Sequence, residues 1–348
     1  MSTGAEPAAD LRYLARLTDE CGVVEHALLT RPRRDEGYCT DDAGRLLALA
    51  SRLGDDPHAL RLAKASLGFL ERAHLGAARY RLRQRGSGHW TNDEVSDDAT
   101  GRALLGLGTA AAWAPWPEVR DGAQRLFDVS WDLRSPHPRA LAYAALGAVE
   151  VVGVAPTHFG ASALLGRALT LLDGDGNGDG NGDGDDGDGG EWPWPEARLT
   201  YANALLPDAV LAAATSLQDT VRTERALSML HWLLGRQVHQ GHFSFVATAG
   251  ADRGFTPPQF DQQGIEAWAT ADACLRAYRH SAEPRWAHEV QRAAAWYLGD
   301  NDVGVTMYDA DSGGGYDGLR PDGVNLNQGA ESSMAFVATM LALEALRA

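Results

Sequence analysis

The sequence lacks any apolar run that approaches the roughly 20 residues a helix needs to cross a bilayer. Its first ten residues, 1–10, also lack the charged stretch followed by an apolar stretch that marks a secretory signal. We therefore expect no membrane segment, no membrane partner and a cytoplasmic location.

Cysteine and positive charge are also scarce. The three cysteines, Cys21, Cys39 and Cys274, are odd in number and widely spaced, which argues against a disulfide framework. Asp and Glu number 47 against 31 Lys and Arg, a net charge of −16. Because a phosphate backbone requires a basic protein surface, we expect no nucleic-acid partner.

Helical periodicity dominates what is present, and alternating strands are rare. Six segments carry their apolar residues on one stripe: 11–29, 57–75, 117–131, 159–172, 220–235 and 285–298. Six others are apolar on nearly all sides and rich in alanine, as helices enclosed by other helices should be. Four of these span 46–53, 101–113, 138–152 and 204–217, and two follow the polar clusters at 260–268 and 325–332.

Twelve helices that alternate between these two kinds, with inner starts about 40 to 70 residues apart, indicate a repeat architecture. We predict one all-α domain over 1–348, an (α/α)6 toroid of six outer–inner helical hairpins. All inner helices then run the same way, so their N-terminal ends form a polar site at one mouth. Long loops lead into the inner helices and mark this functional face: 76–97, 172–200, 235–262 and 299–328.

Five inner helices follow short clusters rich in Asp, Glu, Asn and aromatic residues. The clusters are 38–45, 90–98, 192–196, 260–268 and 325–332. The third cluster leads through Tyr201 and Asn203 into its helix. The sixth helix has only the weak polar lead 135–137. Carboxylates at these positions could simply cap the helices or complement their dipoles. Because five such starts converge, we instead expect one pocket suited to a sugar.

Carboxylates are the candidate catalytic groups. Glycoside cleavage needs one acid to protonate the leaving oxygen and a second carboxylate to activate water or attack. The candidates are Glu196, Asp261, Glu266 and Glu331. Glu266 lies one turn into an apolar helix, where a lumen would raise its pKa as an acid catalyst needs. A structural alternative is that Asp261 only caps this helix.

Sugar binding combines aromatic rings that stack on C–H faces with polar side chains that bind hydroxyls. The candidate substrate-binding residues are Tyr38, Asp41, Asp42, Trp90, Asp97, Asp98, Arg102, Trp194, Tyr201, Asn203, Gln262, Trp268, Asp302, Tyr316, Asn325, Asn327 and Gln328. The two Asp–Asp pairs could instead be N-caps, with Arg45 and Arg102 as buried ion-pair partners.

We expect neither a cofactor nor a metal. His239 and His242 have a ligand-like spacing, but Gly241 breaks the helix that would align them, and no third ligand is evident. The segment 173–190 is a Gly, Asp and Asn tract without an apolar residue, so we expect a disordered loop. Residues 175–180 echo a calcium loop only superficially, because its twelfth position is Asp186 rather than Glu.

The motifs together resemble a known protein family. They are Gly37 to Asp42, Ser96 to Asp98 with Gly101 to Leu104, Leu199 to Tyr201 with Asn203 and Ala204, Phe260 to Gln263 with Ile265 to Trp268, Trp296 to Gly299 with Asn301 and Asp302, Tyr316 to Leu319, Asp322 to Asn325, and Asn327 to Ser332. From about Asp35 to the end, the chain resembles bacterial and archaeal (α/α)6-toroid proteins of the six-hairpin glycosidase-like superfamily, which are associated with glycosyltransferases and mannoside phosphorylases. The resemblance implies a toroid, a carbohydrate context and a glycosyltransferase as a candidate partner.

Two positions depart from the family pattern. Ala202 stands where an Asp is expected between Tyr and Asn, and Gly44 stands where Asn is usual. The loss of an acid at position 202 favours a binding role for that helix start.

Three functions compete. The first is a glycoside hydrolase that acts on an oligosaccharide or glycoside by carboxylate acid/base catalysis. The second is a non-catalytic carbohydrate-binding or scaffold toroid that partners a glycosyltransferase. The third is a sugar epimerase or isomerase, which normally recruits lumen histidines, whereas here only His89 and His242 are near a cluster. A terpene cyclase ranks lower still, because the lumen looks polar and no D-D-x-x-D motif occurs at the Asp pairs.

Overall fold

The computed structural model describes residues 7–91, 95–173 and 192–347, which contain twelve helices and eight short strands. The helices are α1 (Arg12–Leu17), α2 (Thr40–Arg52), α3 (Ala59–Ala73), α4 (Asp97–Trp113), α5 (Pro117–Ser130), α6 (Pro138–Val154), α7 (Phe159–Leu172), α8 (Leu205–Ser216), α9 (Thr220–Gln237), α10 (Gly264–Ser281), α11 (Pro284–Tyr297) and α12 (Ala330–Glu344). The strands are β1 (Ala27–Leu28), β2 (Arg31–Pro32), β3 (Tyr38–Cys39), β4 (Arg83–Gln84), β5 (Val238–His239), β6 (His242–Phe243), β7 (Gly318–Arg320) and β8 (Gly323–Asn325).

The even-numbered helices form a closed inner ring. Each packs against the next, and α12 packs against α2, while the odd-numbered helices lie outside them. The inner helices are buried on nearly all sides because they are built from Ala, Leu and Gly, as α4 and α6 show. The predicted (α/α)6 toroid is confirmed.

Glycine allows α2, α4 and α6 to pack backbone against backbone. A Cβ added at Gly44 would lie inside van der Waals distance of the Arg102 carbonyl oxygen, and one at Gly106 would meet the carbonyl of Gly44. One at Gly101 would meet the carbonyl of Ala140. A side chain cannot be accommodated at such contacts without moving a helix. The glycine at position 44, unusual for the resembled family, is therefore required by this packing.

The first outer helix is shorter than predicted. The expected helix over 11–29 ends at Leu17, because the Asp19 carboxylate accepts a hydrogen bond from the backbone N of Cys21 at 3.0 Å and forms a turn. Gly22 follows at φ +151°, a backbone conformation that a helix does not contain. The antiparallel pair of β1 and β2 occupies part of the remainder.

Connections differ at the two ends of the inner helices. Turns after inner helices are two to six residues long, from 282–283 to 53–58, whereas 32 residues precede both α8 and α12. The long loops carry the two-stranded antiparallel sheets β3–β4, β5–β6 and β7–β8. Residues 174–190 of the predicted disordered segment, and Asn92, Asp93 and Glu94 of the second polar cluster, lie outside the described residues.

The described helices include none that combines the length and apolar character required to cross a membrane. Within the same residues, no three His, Cys, Asp or Glu side chains group as metal ligands would. His242 instead forms a hydrogen bond with Asp302, with 3.0 Å between Nε2 and Oδ1.

Candidate functional site

The Asp pairs lie in the first turns of their helices and do not cap them. Cys39 is the N-cap of α2 and makes no side-chain cap, so Asp41 and Asp42 follow it inside the helix. The N-cap of α4 is Ser96, whose Oγ accepts a hydrogen bond from the backbone N of Ala99 at 3.3 Å. The N-cap alternative for both pairs is therefore wrong, although carboxylates in a first turn still complement the helix dipole.

Arg45 joins two carboxylates from neighbouring helices. Its Nη1 lies 3.0 Å from Asp42 Oδ1, and its Nη2 lies 2.6 Å from Glu331 Oε2 on α12. Asp42 also accepts a hydrogen bond from the Cys39 thiol at 3.1 Å. The Arg45 and Asp42 side chains are 3% and 4% exposed, whereas that of Glu331 is 39% exposed. Glu331 is thus the part of this group that a ligand can reach.

Arg102 has a matching position on α4. Its Nη1 lies 3.1 Å from Asp98 Oδ2 and 3.6 Å from Asp41 Oδ1. Its guanidinium carbon lies 4.5 Å from the centre of the Tyr143 ring and 5.7 Å from that of Tyr201. The Tyr201 hydroxyl donates to Asp98. The two aromatic faces and the two carboxylates hold this cation while it is almost completely buried.

Arg139, at the start of α6, continues the network. Its Nε donates to the Tyr201 carbonyl at 2.6 Å, its Nη2 donates to Asn203 Oδ1 at 3.2 Å, and its Nη1 pairs with Glu196. The backbone N and the Nδ2 of Asn203 both donate to Glu266 Oε2, at 3.1 and 3.2 Å. The chain of contacts thus reaches α10 through the loop before α8.

We call these linked residues the mouth cluster: Asp41, Asp42, Arg45, Asp98, Arg102, Arg139, Glu196, Tyr201, Asn203, Glu266 and Glu331. They come from the N-terminal ends of the inner helices or from the loop before α8, as the fold prediction required. Three arginines face six carboxylates, so the cluster as a whole favours a neutral or cationic ligand over an anion.

Two carboxyl groups of the mouth cluster are deeply buried. Burial raises the pKa of Glu266 from 4.5 to about 7, although the hydrogen bonds from Asn203 oppose this. Burial likewise raises the pKa of Asp42 from 3.8 to about 6, against the opposing charge of Arg45. Both groups therefore carry protons in a pH range where an ordinary carboxyl group is ionised.

Four buried polar atoms of the mouth cluster have no hydrogen-bond partner within the described protein: Asp41 Oδ1, Arg45 Nε, Arg102 Nε and Glu196 Oε2. Buried polar atoms are normally paired, because an unpaired one loses its hydration without compensation. They are four of the fourteen such atoms among the described residues, and hydroxyl groups of a ligand, or water, are partners that would satisfy them.

Several predicted aromatic residues lie away from the mouth cluster. Trp194 is 5% exposed and stacks on Trp232 of α9, with ring centres 5.8 Å apart. The Tyr38 hydroxyl donates to Asp19 Oδ2 at 2.9 Å. Trp90 packs on Phe69, with ring centres 5.4 Å apart, and Tyr316 is partly buried in the loop before β7.

Trp268 faces a different space. It lines a cavity of about 660 Å³ between the inner helices, which we call the lower cavity, together with Leu146, Ile265 and Leu341. Its Nε1 donates to Asp272 Oδ2 at 2.8 Å. At this level of the toroid the lumen combines aliphatic side chains with charged ones such as Asp208 and Arg276, so it is only partly polar.

Gln262 and Asp302 hold the loops together. Gln262 Nε2 donates to Asp302 Oδ2 at 2.6 Å, and Gln262 Oε1 accepts from the backbone N of Phe245 at 3.2 Å and from Trp296 Nε1 at 3.3 Å. Both side chains are buried, so they fix the loops that precede α10 and α12.

The amides of the last polar cluster have the same kind of role. Gln328 donates to Asp309 Oδ2 at 3.0 Å and accepts from Ser312 Oγ at 2.6 Å. Asn327 Oδ1 accepts from the backbone N of Leu29, and Asn325 Oδ1 accepts from that of Asn327. These contacts fold the loop that delivers Glu331.

Two predicted site residues remain, Asp261 and Asp97. Asp261 does not cap α10, whose N-cap is Gln263; its Oδ2 lies 3.5 Å from Arg320 Nε. Asp97 precedes Asp98 in the first turn of α4. Sequence reasoning missed Arg139 and Tyr143. The available signal was an arginine directly after Pro138, at the start of an otherwise apolar inner helix.

No protein-family model matches the sequence, and no curated protein matches it. Solved structures do. A sugar epimerase from a ruminal bacterium superposes with a TM-score of 0.67 at 12% identity, covering 95% of each chain. A cellobiose 2-epimerase from Bacillus thermoamylovorans has a TM-score of 0.65 at 13% identity, covering 97% of this chain and 96% of that one. An inactive α-1,6-mannanase variant from a Salegentibacter species, in complex with α-1,6-mannotetrose, has a TM-score of 0.60 at 12% identity, covering 97% and 96%.

These likenesses extend over nearly the whole of each chain and place the fold among the (α/α)6 toroids. At 12 to 13% identity they are similarities of fold. None of the three structures is a glycosyltransferase or a phosphorylase, so that association stays a prediction.

Proposed function

We propose that the protein is a carbohydrate-active enzyme, a glycoside hydrolase whose active site is the mouth cluster. The observation that carries this proposal is the set of partly exposed carboxylates paired with buried arginines, with four buried polar atoms that lack hydrogen-bond partners. Sugar hydroxyls supply both donors and acceptors and would satisfy these atoms. The excess of carboxylates favours a neutral glycan.

Exposure distinguishes the catalytic candidates. The side chains of Glu331, Asp98 and Glu196 are 39%, 29% and 21% exposed, so each can meet a substrate. Glu266 lies beneath them and acts on substrate only through Asn203, as a positioning residue. Asp261, paired with Arg320, lies outside the cluster.

We assign Glu331 and Asp98 as the acid/base pair. Glu331 is the most exposed carboxylate of the cluster, so it is placed to meet the glycosidic oxygen. Asp98 is held in a fixed position by Arg102 and the Tyr201 hydroxyl, and we assign it the role of base or nucleophile. Asp41, whose side chain is 25% exposed, binds substrate beside them, and the buried Asp42 holds Arg45 in place.

One similar structure supports a role for the Asp pairs. The inactive α-1,6-mannanase variant was made by changing two consecutive aspartates to alanine. Two consecutive pairs, Asp41–Asp42 and Asp97–Asp98, occur here, and three of these four residues belong to the mouth cluster. An α-1,6-linked mannooligosaccharide is therefore the first substrate to test.

The test compares wild type with Glu331→Gln on α-1,6-mannooligosaccharides and then on a glycan library, with released sugars measured by mass spectrometry. Wild type should release sugars, and Glu331→Gln should not. The matched control is Glu344→Gln, at the other end of α12, which should retain turnover. Release that is unchanged in Glu331→Gln would contradict the assignment of this residue.

A second candidate is a sugar epimerase or isomerase, favoured by the likeness to a sugar epimerase and a cellobiose 2-epimerase. Against it, none of the described histidines forms a hydrogen bond or ion pair with the mouth cluster. The same incubations distinguish the two, because an epimerase changes the stereochemistry of the free sugar without cleaving a linkage. Saturable glycan binding without any product would instead support the binding toroid that partners a glycosyltransferase.

A further inference from the structure

The lower cavity extends along the inner helices from Leu205 and Ile265, in the first turns of α8 and α10, to residues near the C-terminal ends. All six inner helices line it, and its rim includes Arg52, Trp113 and Arg279 at or near their C-terminal ends. None of the mouth-cluster residues lines it. Tyr143 stands between the two regions, since its ring contacts Arg102 and also borders the cavity. A volume of about 660 Å³ is that of a small-molecule site.

The charges that line the lower cavity balance. Three arginines, Arg52, Arg276 and Arg279, accompany three carboxylates, those of Glu150, Asp208 and Asp272. Arg276 Nε lies 2.6 Å from Asp208 Oδ1, and Arg52 Nη2 lies 3.4 Å from Glu150 Oε1. A charged ligand would have to compete with these two pairs, whereas an uncharged ligand with hydroxyl groups can bind beside them and beside Arg279, which forms no ion pair among the described residues.

Two tryptophans are held in place by the same carboxylates. Trp113 Nε1 donates to Glu150 Oε2 at 2.7 Å, and Trp268 Nε1 donates to Asp272 Oδ2 at 2.8 Å. Because the indole N–H groups are already paired, the rings offer only their faces and edges to a ligand. Trp113 is 59% exposed at the rim, an unusual position for so large an apolar side chain.

Much of the rest of the wall is aliphatic, although Tyr143, Thr215, Ser216 and His280 also line it. Leu49, Leu105, Leu146, Ile265 and Leu341 come from five different inner helices and surround the space. Such a wall binds a hydrocarbon body because contact removes apolar surface from water. The cavity therefore offers aliphatic surface, fixed indole faces and paired charged groups. This combination is suited to an amphipathic ligand.

We propose that the lower cavity is a second binding site, for an uncharged amphipathic molecule with an alkyl body and a hydroxylated head, such as an alkyl glycoside. The alkyl body contacts the aliphatic wall. The head lies against Trp113, Trp268 and the paired Arg and carboxylate side chains. This site is independent of the proposed hydrolase activity, because it shares no residue with the mouth cluster.

The probe is n-octyl β-D-glucoside below its critical micelle concentration, titrated into the full chain by calorimetry. We expect one saturable site in wild type and at least about tenfold weaker binding in Ala269→Phe, whose ring would occupy the cavity. Ala269 borders the open space, so the added ring fills it rather than displacing a neighbour. The control is Ala249→Phe, the same change at an exposed loop alanine, which should bind like wild type.

Two further probes test the chemistry. Glucose should bind at least about tenfold more weakly than octyl glucoside, because it lacks the alkyl body, and octyl sulfate should bind more weakly because it is charged. If Ala269→Phe does not fold, Ala342→Leu on the neighbouring helix α12 replaces it.

Three results would overturn the proposal. They are the absence of saturable octyl glucoside binding, equal binding of glucose or octyl sulfate, and loss of binding in Glu331→Gln but not in the cavity variants. The last result would place the probe at the mouth cluster. Sugar release by wild type, which tests the proposed hydrolase activity, is measured separately.

Discussion

The N-terminal and C-terminal ends of the inner helices carry similar charged residues but bury them to different extents. At the N-terminal end, buried arginines hold carboxylates from neighbouring helices, as the 3%-exposed Arg45 does. Two turns further along α2, Arg52 is 32% exposed and only borders a cavity with aliphatic walls. Long loops cover the first end and short turns leave the second open. The same kind of residue thus acts as a buried electrostatic anchor at one end and as a rim charge at the other.

The largest expected effect tests whether catalysis belongs to the mouth end alone. Asp98→Asn should lower kcat by about 10²- to 10⁴-fold, the usual contribution of an acid/base group. Glu150→Gln, a carboxylate change at the lower cavity, should leave kcat within about twofold of wild type. Sugar-release kinetics on a substrate that wild type cleaves provide the measurement. A large loss in Glu150→Gln would mean that the substrate reaches the lower cavity.

Replacement of Arg45 and replacement of Arg52, both on α2, should lower the free energy of unfolding by different amounts. Arg45→Met leaves Asp42 buried without its cation and should lower the free energy of unfolding by about 3–5 kcal/mol. Arg52→Met removes a partly exposed ion pair and should cost less than about 1 kcal/mol. Urea denaturation of both variants provides the comparison, and equal losses would contradict the difference in burial between the two ends.

The buried carboxyls of the mouth should make stability depend on pH. The pKa values of Glu266 and Asp42 are raised to about 7 and about 6 in the folded protein. At a pH above the ordinary pKa of a carboxyl group, the folded state therefore binds more protons than the unfolded chain does. Their contribution is therefore fully present at low pH and is lost as the pH rises through the folded values. Glu266→Gln should reduce the resulting fall in unfolding free energy between pH 4.5 and 7 by on the order of 1–3 kcal/mol.

Urea denaturation of wild type and Glu266→Gln across that pH range measures the difference. Glutamine keeps an oxygen that can accept the two hydrogen bonds from Asn203, so packing changes little. Parallel pH profiles for the two proteins would show that Glu266 does not carry the extra proton.

The smallest expected difference between the two ends is in how an added methyl group changes the stability of the helix packing. Gly44→Ala, close to the mouth, places a Cβ against the Arg102 carbonyl and should cost about 1–3 kcal/mol. Gly153→Ala, near the C-terminal end of α6, meets nothing within 4 Å and should stabilise by up to about 1 kcal/mol. Thermal unfolding measures both. Similar changes in the unfolding temperature of the two variants would show that the helices are no closer together at Gly44 than at Gly153.

Much of the architecture could be predicted because helix type depends on local pattern. The one-sided stripe of α3 and the all-round apolar surface of α6 each follow from spacing along a few turns. The helix count and the meeting of inner N-termini then follow from alternation. The predicted helix over 11–29 was wrong, because the Asp19 turn competes with periodicity through a single local hydrogen bond.

Individual site residues were harder to predict, because spacing along a helix does not say which neighbour each side chain meets. Glu266 and Trp268 are two positions apart on α10, about 200° around the helix. One contacts Asn203 at the mouth, and the other contacts Asp272 at the lower cavity. Trp194 gave the signal of a sugar platform, but its partner Trp232 comes from a distant outer helix.

By itself, the sequence determined the alternation of enclosed and one-sided helices and the acidic character of the inner helix starts, since both depend on residues close along the chain. Only the tertiary structure decided that Arg45, Arg102 and Arg139 connect those starts, and that a second, aliphatic space lies below them. Such contacts depend on the rotation and separation of helices that are brought together from distant parts of the chain.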